Sequence, residues 1–200
     1  MASPPTSPAL RAKYDRRRAQ LVLDAARIFA RSGYDQTSIA ELTDELELAS
    51  GGLYHYFAGK EALLIGICDE LLEPILAAAR EIAGGGEPAA ERLRALVRVW
   101  VAHVVVHRDH MLVFQQERHV IEHGAQWKAV RDSRKSFERI VEELVGDVVH
   151  AGAARGDRRV LLAALLGMVN HTAQWYRPSG RLTPQQLADG YVDLLVGAPG

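Results

Sequence analysis

Cysteine is nearly absent from this sequence. Cys68 stands alone among 200 residues, so no intrachain disulfide can form, and a reducing, cytoplasmic setting is expected. No apolar run is long enough to cross a bilayer, so no membrane partner is expected. The opening Met-Ala-Ser-Pro-Pro-Thr-Ser-Pro-Ala-Leu lacks the apolar centre of a secretion signal and reads as a disordered leader. Charge of one sign is missing too: 24 Lys plus Arg face 25 Asp plus Glu, and a net charge of −1 does not by itself suggest a nucleic-acid partner. There is no nucleophile elbow. Gly84-Gly85-Gly86 lacks the lysine and the preceding strand of a phosphate loop. No stretch alternates apolar and polar residues as a half-buried strand would, so the fold class is all-α.

What the sequence does contain is helical periodicity from end to end. A first helix is predicted from about Asp15 to Ser32, with Leu21, Val22, Ala25, Ala26, Phe29 and Ala30 as its buried stripe and Gly33 as its stop. Ahead of it, Arg11, Lys13, Arg16, Arg17 and Arg18 face only Asp15, a basic arm suited to phosphates or a minor groove. A fourth helix is predicted from Lys60 to about Ala83, with Pro74 expected to kink it. Gly84 to Pro88 breaks the chain. Five more helices are predicted beyond: Ala89–His107, Asp109–His123, Ala125–Ala154, one capped by Asp157 and running to Tyr176, and one from Pro184 to Val196. The expected organisation is a basic leader over 1–13, a small head over 14–59, and a helical bundle over 60–200.

The head is organised around Thr37 to Lys60. Thr37 or Ser38 can cap a short helix, and Glu41 stands where a capping box needs it. Ile39, Leu42 and Leu46 give that helix an apolar face. Glu47-Leu48-Ala49 makes a turn, and Ser50 opens a second short helix in which Leu53 and Phe57, four apart, face inward. Gly51, Gly52, Tyr54, His55 and Tyr56 are left outside. Two glycines lower helix stability, but they permit close approach to another backbone. Such a helix can sit deep in a major groove, with free N–H groups toward phosphates and Tyr54 and Lys60 on the backbone at either side. The neighbouring acidic run (Asp35, Glu41, Asp44, Glu45, Glu47) must then face away from DNA.

Leu53-Tyr54-His55-Tyr56-Phe57-x-x-Lys60-Glu61-x-Leu63 resembles the signature of the TetR family of transcriptional repressors. So does Leu23-Asp24-Ala25-Ala26-x-x-Phe29-Ala30-x-x-Gly33-Tyr34 followed by Thr37-Ser38-Ile39. Glu47 stands where the family usually has Gly, Thr43 where a small Ala is usual, and Ala49 where Ser is frequent. The resemblance implies a homodimer on a palindromic double-stranded operator. Arg17, Thr37, Ser38, Ser50, Gly51, Gly52, Tyr54, His55, Tyr56 and Lys60 are its expected DNA-binding residues. It also implies an effector cavity in the bundle, no cofactor and no enzymatic role.

Candidate effector residues are the polar and aromatic groups inside the apolar stripes: Trp100, His103, Val104 and His107; Met111, Phe114, Gln115 and Arg118; Asn170, His171, Gln174 and Trp175. The segment Asn170-His171-Thr172-x-x-Trp175-Tyr176-Arg177-Pro178-Ser179-Gly180-x-Leu182-Thr183-Pro184 resembles a TetR subgroup that controls sterol and fatty-acid breakdown and responds to acyl-CoA thioesters. On that likeness, Arg118, Trp175, Arg177 and Arg181 are candidates for the CoA phosphates and adenine. The last two helices are expected to form the dimer interface, with Leu161, Ala164, Leu165, Tyr191 and Leu194 in it.

Two rival classes arise. His119-Val120-Ile121-Glu122-His123 fits H-x-x-E-H, a zinc-peptidase spacing, and would make the chain a zinc hydrolase. Five-residue patterns arise easily in a chain with eight histidines, and no second motif marks a third ligand, so no metal is expected. A helical protein-interaction adaptor would leave the basic arm and the Gly-Gly-Leu-Tyr-His-Tyr surface without a purpose.

Overall fold

The computed structural model describes residues 5–49 and 51–196, all of them helical or in turns, with no strand among them. Helix α1 spans Pro8–Ser32, α2 Ile39–Glu45 and α3 Leu53–Tyr56. Helix α4 spans Lys60–Ala83, α5 Ala89–Val106, α6 Arg108–Gln116 and α7 Arg118–Ile121. A 3₁₀ turn at Ala125–Trp127 leads into α8, Lys128–His150; α9 spans Arg158–Trp175 and α10 Pro184–Val196.

Helix α1 starts seven residues earlier than the predicted Asp15. Pro8 suits a first helical turn, and the Arg and Lys that follow are good helix formers, so the predicted leader is helical from Pro8 onward. The Arg11 carboxylate partner is Asp15, one turn on, at 3.1 Å. Gly33, at φ +83°, ends the helix and donates its N–H to the Phe29 carbonyl. Helix α2 carries the predicted capping box in full: Glu41 N–H donates to Ser38 Oγ (3.2 Å) and Ser38 N–H to Glu41 Oε2 (2.8 Å). Those bonds hold the Glu41 carboxyl below the usual range.

Two predicted helices are divided. The one expected over Asp109–His123 breaks at Glu117, whose side chain turns inward and accepts the Tyr34 N–H at 3.3 Å. The one expected over Ala125–Ala154 begins with the 3₁₀ turn and ends at His150. Between them, Arg131 donates to the carbonyls of Ile121 and Gly124, closing the C-terminal end of α7. Helix α4 continues through Pro74, which has no N–H for the carbonyl one turn back. A ring nitrogen of His103 meets the next carbonyl along, that of Leu71, at 2.8 Å.

Two apolar cores result. One joins α1, α2 and α3 to the first half of α4 and to Val113, Ile121, Trp127 and Val130 beyond the predicted boundary at residue 60. The other fills the space between the second half of α4 and α5, α8, α9 and α10. Phe114 packs against both. The head is therefore seated on α6 and the start of α8, and α4 runs from one core into the other. Arg94 and Arg98 fasten α5 to α10 through Asp189 and Asp193, at 2.7 Å for Arg98–Asp189 and Arg94–Asp193. Cys68 is buried in the head core, and burial pushes its thiol pKa up, which leaves it unreactive.

Candidate DNA-binding head and effector cavity

The predicted recognition helix is shorter than expected. Only Leu53–Tyr56 is helical, with Leu53 and Phe57 fully buried as predicted. Gly51 and Gly52 lie in the turn before it. Gly51 has φ +78°, which favours glycine. A Cβ on Gly52 would sit 2.9 Å from the Ala49 carbonyl oxygen. Both glycines are thus explained by the turn itself. Glu47 takes the left-handed conformation, φ +53°, where the family usually has Gly, a strained choice for a residue with a side chain. Ser50 lies outside the described residues.

Four residues cannot hold a helix on their own, and a residue missed in the sequence supplies the support. Tyr14, buried against α3, donates its hydroxyl to the His55 carbonyl at 3.2 Å and stacks on Tyr56 at 5.0 Å between ring centroids. His55 meets both rings edge-on. Arg18 lies over the Phe57 ring at 4.8 Å. A tyrosine placed amid the basic run, before the first apolar stripe, was the available signal. Tyr54 and His55 are left exposed, and Tyr56 half-exposed.

Several predicted DNA contacts are already committed within the head. Thr37 is buried and donates to the Gly33 carbonyl at 2.7 Å. Arg17 donates to the Leu46 carbonyl at 3.2 Å, satisfying the end of α2. Lys60 donates to the Tyr34 and Thr37 carbonyls at 2.8 and 3.0 Å and lies over the Tyr34 ring. These three side chains shape the head. Ser38 is exposed but caps α2, and Ile39, predicted to face inward, is 38 % exposed. Lys13, Arg16 and Arg18 remain exposed on α1. Of the acidic run, Glu41 is held in the cap and Glu45 pairs with Arg31.

In the body, a cavity opens between α4, α5, α6, α8 and α9. It brings together Trp100, His103, Val104, Met111, Phe114 and Asn170 of the predicted set. It adds Leu71, Leu72 and Ile75 from α4, Arg134, Phe137 and Glu138 from α8, and Leu166. Its free space is about 40 Å³, room for a water or two. Trp100 meets Phe137 edge-to-face at 4.8 Å. Arg134 is the cation on the wall, beside the carboxylate of Glu138: it pairs with Glu122 at 3.1 Å and Glu138 at 3.9 Å, yet its Nε has no partner among the described residues.

The rest of the predicted effector set lies elsewhere. Gln115 bridges the Asn170 carbonyl and Gln174, outside the cavity. Arg118 and His171 are exposed. Trp175, Arg177 and Arg181 share a separate surface groove with Tyr176 and Leu182. His107 stands behind the wall, its ring 4.3 Å from that of His103 and 5.1 Å from that of buried His110, and its Nδ1 is unpartnered. The zinc-peptidase spacing does not assemble: His123 Nδ1 contacts the His119 carbonyl at 2.9 Å, and Glu122 is paired with Arg134 and Arg118.

Burial pushes the His107 pKa down to about 4, reinforced by the charges of His103 and His110 and opposed by Glu70. His103 is lowered as well, chiefly by burial. Both rings are neutral at pH 7. The unfolded chain binds their protons first, so stability present above pH 6.5 is lost as pH falls toward about 4. The melting temperature should drop between pH 7 and pH 5, and the drop should be smaller in His107→Gln, as measured by thermal circular dichroism.

The N-terminal part, residues 21–67, matches the family of bacterial regulatory proteins of the tetR type, and residues 86–198 match the tetracyclin repressor-like C-terminal domain. The chain belongs to the TetR family. It is a TetR-type transcriptional repressor with a helix-turn-helix head and a helical C-terminal domain. The HTH-type transcriptional repressor KstR2 of Mycobacterium tuberculosis (strain ATCC 25618 / H37Rv) is 26% identical over 185 residues, 90% of this chain and 92% of the relative. The structure of the ketosteroid transcriptional regulator KstR2 of Mycobacterium tuberculosis superimposes with a TM-score of 0.83 at 25% identity, covering 90% of this chain and 93% of that one. AibR, in complex with isovaleryl coenzyme A and operator DNA, gives a TM-score of 0.77 at 27% identity, covering 90% and 98%. None of the described helices is long and apolar enough to cross a membrane.

Proposed function

We propose that this repressor works as a homodimer on a palindromic operator and is released by a lipophilic, anionic effector, best matched by an acyl-CoA thioester. The observation that carries the effector reading is Arg134. A guanidinium N–H with no partner among the described residues, on the wall of a mostly apolar cavity that also holds His103, Glu138 and Asn170, suits a ligand with an apolar tail and an anionic or carbonyl oxygen. The isovaleryl coenzyme A bound by AibR is of that class. A space of about 40 Å³ is too small for such a tail, so the ligand must part α4 from α8 and α9 to enter. Helix α4 begins at Lys60, which is bonded into the head, so its displacement carries the head with it. Release follows if the ligand binds the spread arrangement better than the operator-bound one.

Tyr54 and His55 are the exposed groups of α3 and would lie at the groove, with Ser38, Lys13, Arg16 and Arg18 toward phosphates. For the dimer, α9 and α10 leave an apolar face open: Val160 is 65 % and Leu194 76 % exposed, beside exposed Ala163, Ala164 and Gly167. Half-buried Leu161 borders it. Two predicted interface residues do not belong to it. Leu165 is in the protomer's own core, and Tyr191 is turned inward to Thr172, hydroxyl to hydroxyl at 3.0 Å. Leu194→Glu places a charge on this face. It should halve the mass seen by light scattering and weaken operator binding at least tenfold.

The test of the whole reading is binding of the purified protein to DNA from its own promoter region, with and without a panel of acyl-CoA thioesters. Specific binding that weakens with salt and is abolished by one thioester is the expected result. Specific binding untouched by any thioester would discard the effector class and leave the operator reading standing. No specific binding at any salt concentration would overturn both.

A further inference from the structure

The His119 that fails to build a peptidase site stands instead beside two carboxylates from distant parts of the chain. Asp35 lies in the α1–α2 loop of the head, and Glu117 at the α6–α7 break of the body. One ligand atom from each of Asp35, Glu117 and His119 lies within 4.8 Å of the other two. His119 Nε2 is 3.8 Å from Asp35 Oδ2. Glu117 is the unusual member. It is only 6 % exposed, and the one hydrogen bond of its carboxylate among the described residues is the 3.3 Å contact from the Tyr34 N–H. It has no ion pair among them. Lys60, over the Tyr34 ring, gives its ammonium protons to carbonyls instead. A carboxylate withdrawn from water is costly unless a positive charge meets it.

We propose that Asp35, Glu117 and His119 bind a first-row divalent cation of the Zn²⁺ type, fastening the head to the body. One imidazole nitrogen and two carboxylate oxygens suit a borderline ion, whereas Mg²⁺ prefers an all-oxygen octahedral shell. Donor atoms around a tetrahedral ion, at about 2.1 Å from it, stand roughly 3.4 Å apart, so the His119–Asp35 pair must close by about 0.4 Å and no pair by more than about 1.4 Å. The two that must move are free to do so: the side chains of Asp35 and His119 are 64% and 67% exposed. Glu117 is already held in place. The open side of the site leaves a fourth position for water. The ion cross-links the loop before α2 to the α6–α7 break and neutralises the buried carboxylate. It thereby stiffens the joint between head and body, independently of the effector cavity.

The experiment is titration of metal-stripped full-length protein with Zn²⁺ by calorimetry, paired with thermal melting. The expected result is one Zn²⁺ per chain, a melting temperature raised by saturating Zn²⁺, and no response to Mg²⁺ at the same concentration. Asp35→Asn, His119→Ala and Glu117→Gln should each weaken Zn²⁺ binding at least tenfold. The last keeps an acceptor for the Tyr34 N–H and hence the fold. His123→Ala should leave the affinity unchanged. Absence of stoichiometric binding in the wild type would overturn the proposal. So would binding that survives undiminished in Asp35→Asn and His119→Ala, since the ion would then sit at other histidines. These readouts need no DNA and no effector, so they fail or succeed separately from the operator reading.

Discussion

Tyr14→Ala should lower operator affinity at least a hundredfold while leaving the body folded. Tyr14 is 7 % exposed, holds the His55 carbonyl with its hydroxyl and stacks on Tyr56. Removing a buried ring of this size costs about 3–5 kcal/mol where the site cannot collapse. Here the loss falls on a helix of four residues that has no side-chain cap at its start. Its remaining anchors are Leu53 and Phe57. A deficit of about 3 kcal/mol in holding α3 corresponds to roughly a hundredfold in binding.

The effect can be separated from the loss of a DNA contact. Tyr14 is a positioning residue, buried against α3 with its hydroxyl already given to the His55 carbonyl. The variant should therefore keep the slope of log affinity against log salt, whereas replacing Lys13 or Arg16 should reduce it. Tyr14→Phe keeps the stack and loses only the 3.2 Å hydrogen bond, a difference of about 1 kcal/mol, so its affinity should fall only several-fold. Fluorescence anisotropy on a labelled operator measures all three. Binding by Tyr14→Ala within threefold of wild type would show that α3 is held by other contacts.

The parts of this fold that could be read from the sequence are those fixed by local chemistry. Ser38 and Glu41 mark the start of α2, Asp157 marks that of α9, and Leu53 and Phe57 face inward because they are one helical turn apart. What was not legible depends on distant partners. Nothing near Glu117 in the chain announces a helix break; the Tyr34 amide, 83 residues away, draws the side chain in. Lys60 and Arg17 look like free cations until the carbonyls they cap are known. On α9 the helix was right, but of the four residues chosen there one, Asn170, lines the cavity. His171 is turned outward by the helical rotation, while Gln174 and Trp175 lie a turn further along, exposed beyond the cavity. Arg134 and Phe137 went unnoticed because α8 reads as an ordinary amphipathic helix, with its charges expected in solvent. The same limitation hid the metal-type cluster, whose three members come from two separate stretches of chain.

Trp100→Ala should give the largest loss of stability in the body, and it tests the cavity directly. Trp100 is 2 % exposed, lines the cavity and packs edge-to-face on Phe137. Its truncation costs about 3–5 kcal/mol, a large share of the roughly 5–15 kcal/mol by which such a domain is stable. At about 2–4 °C per kcal/mol for a chain of this size, the melting temperature should fall by roughly 6–20 °C. Trp100→Phe, which keeps an aromatic ring against Phe137, should lose less than half of that. The enlarged space is walled mainly by Leu71, Leu72, Ile75, Met111 and Phe137, so it favours a largely apolar occupant. A fatty acyl thioester should therefore restore part of the lost melting temperature in Trp100→Ala, because a ligand that binds only the folded state stabilises it by mass action. Arg134→Met should remove that rescue, since it deletes the polar anchor while keeping the apolar wall. A Trp100→Ala protein that melts within 2 °C of wild type would mean that the side chain sits in a region already free to relax. The effector would then have to be sought in the surface groove at Trp175, Arg177 and Arg181.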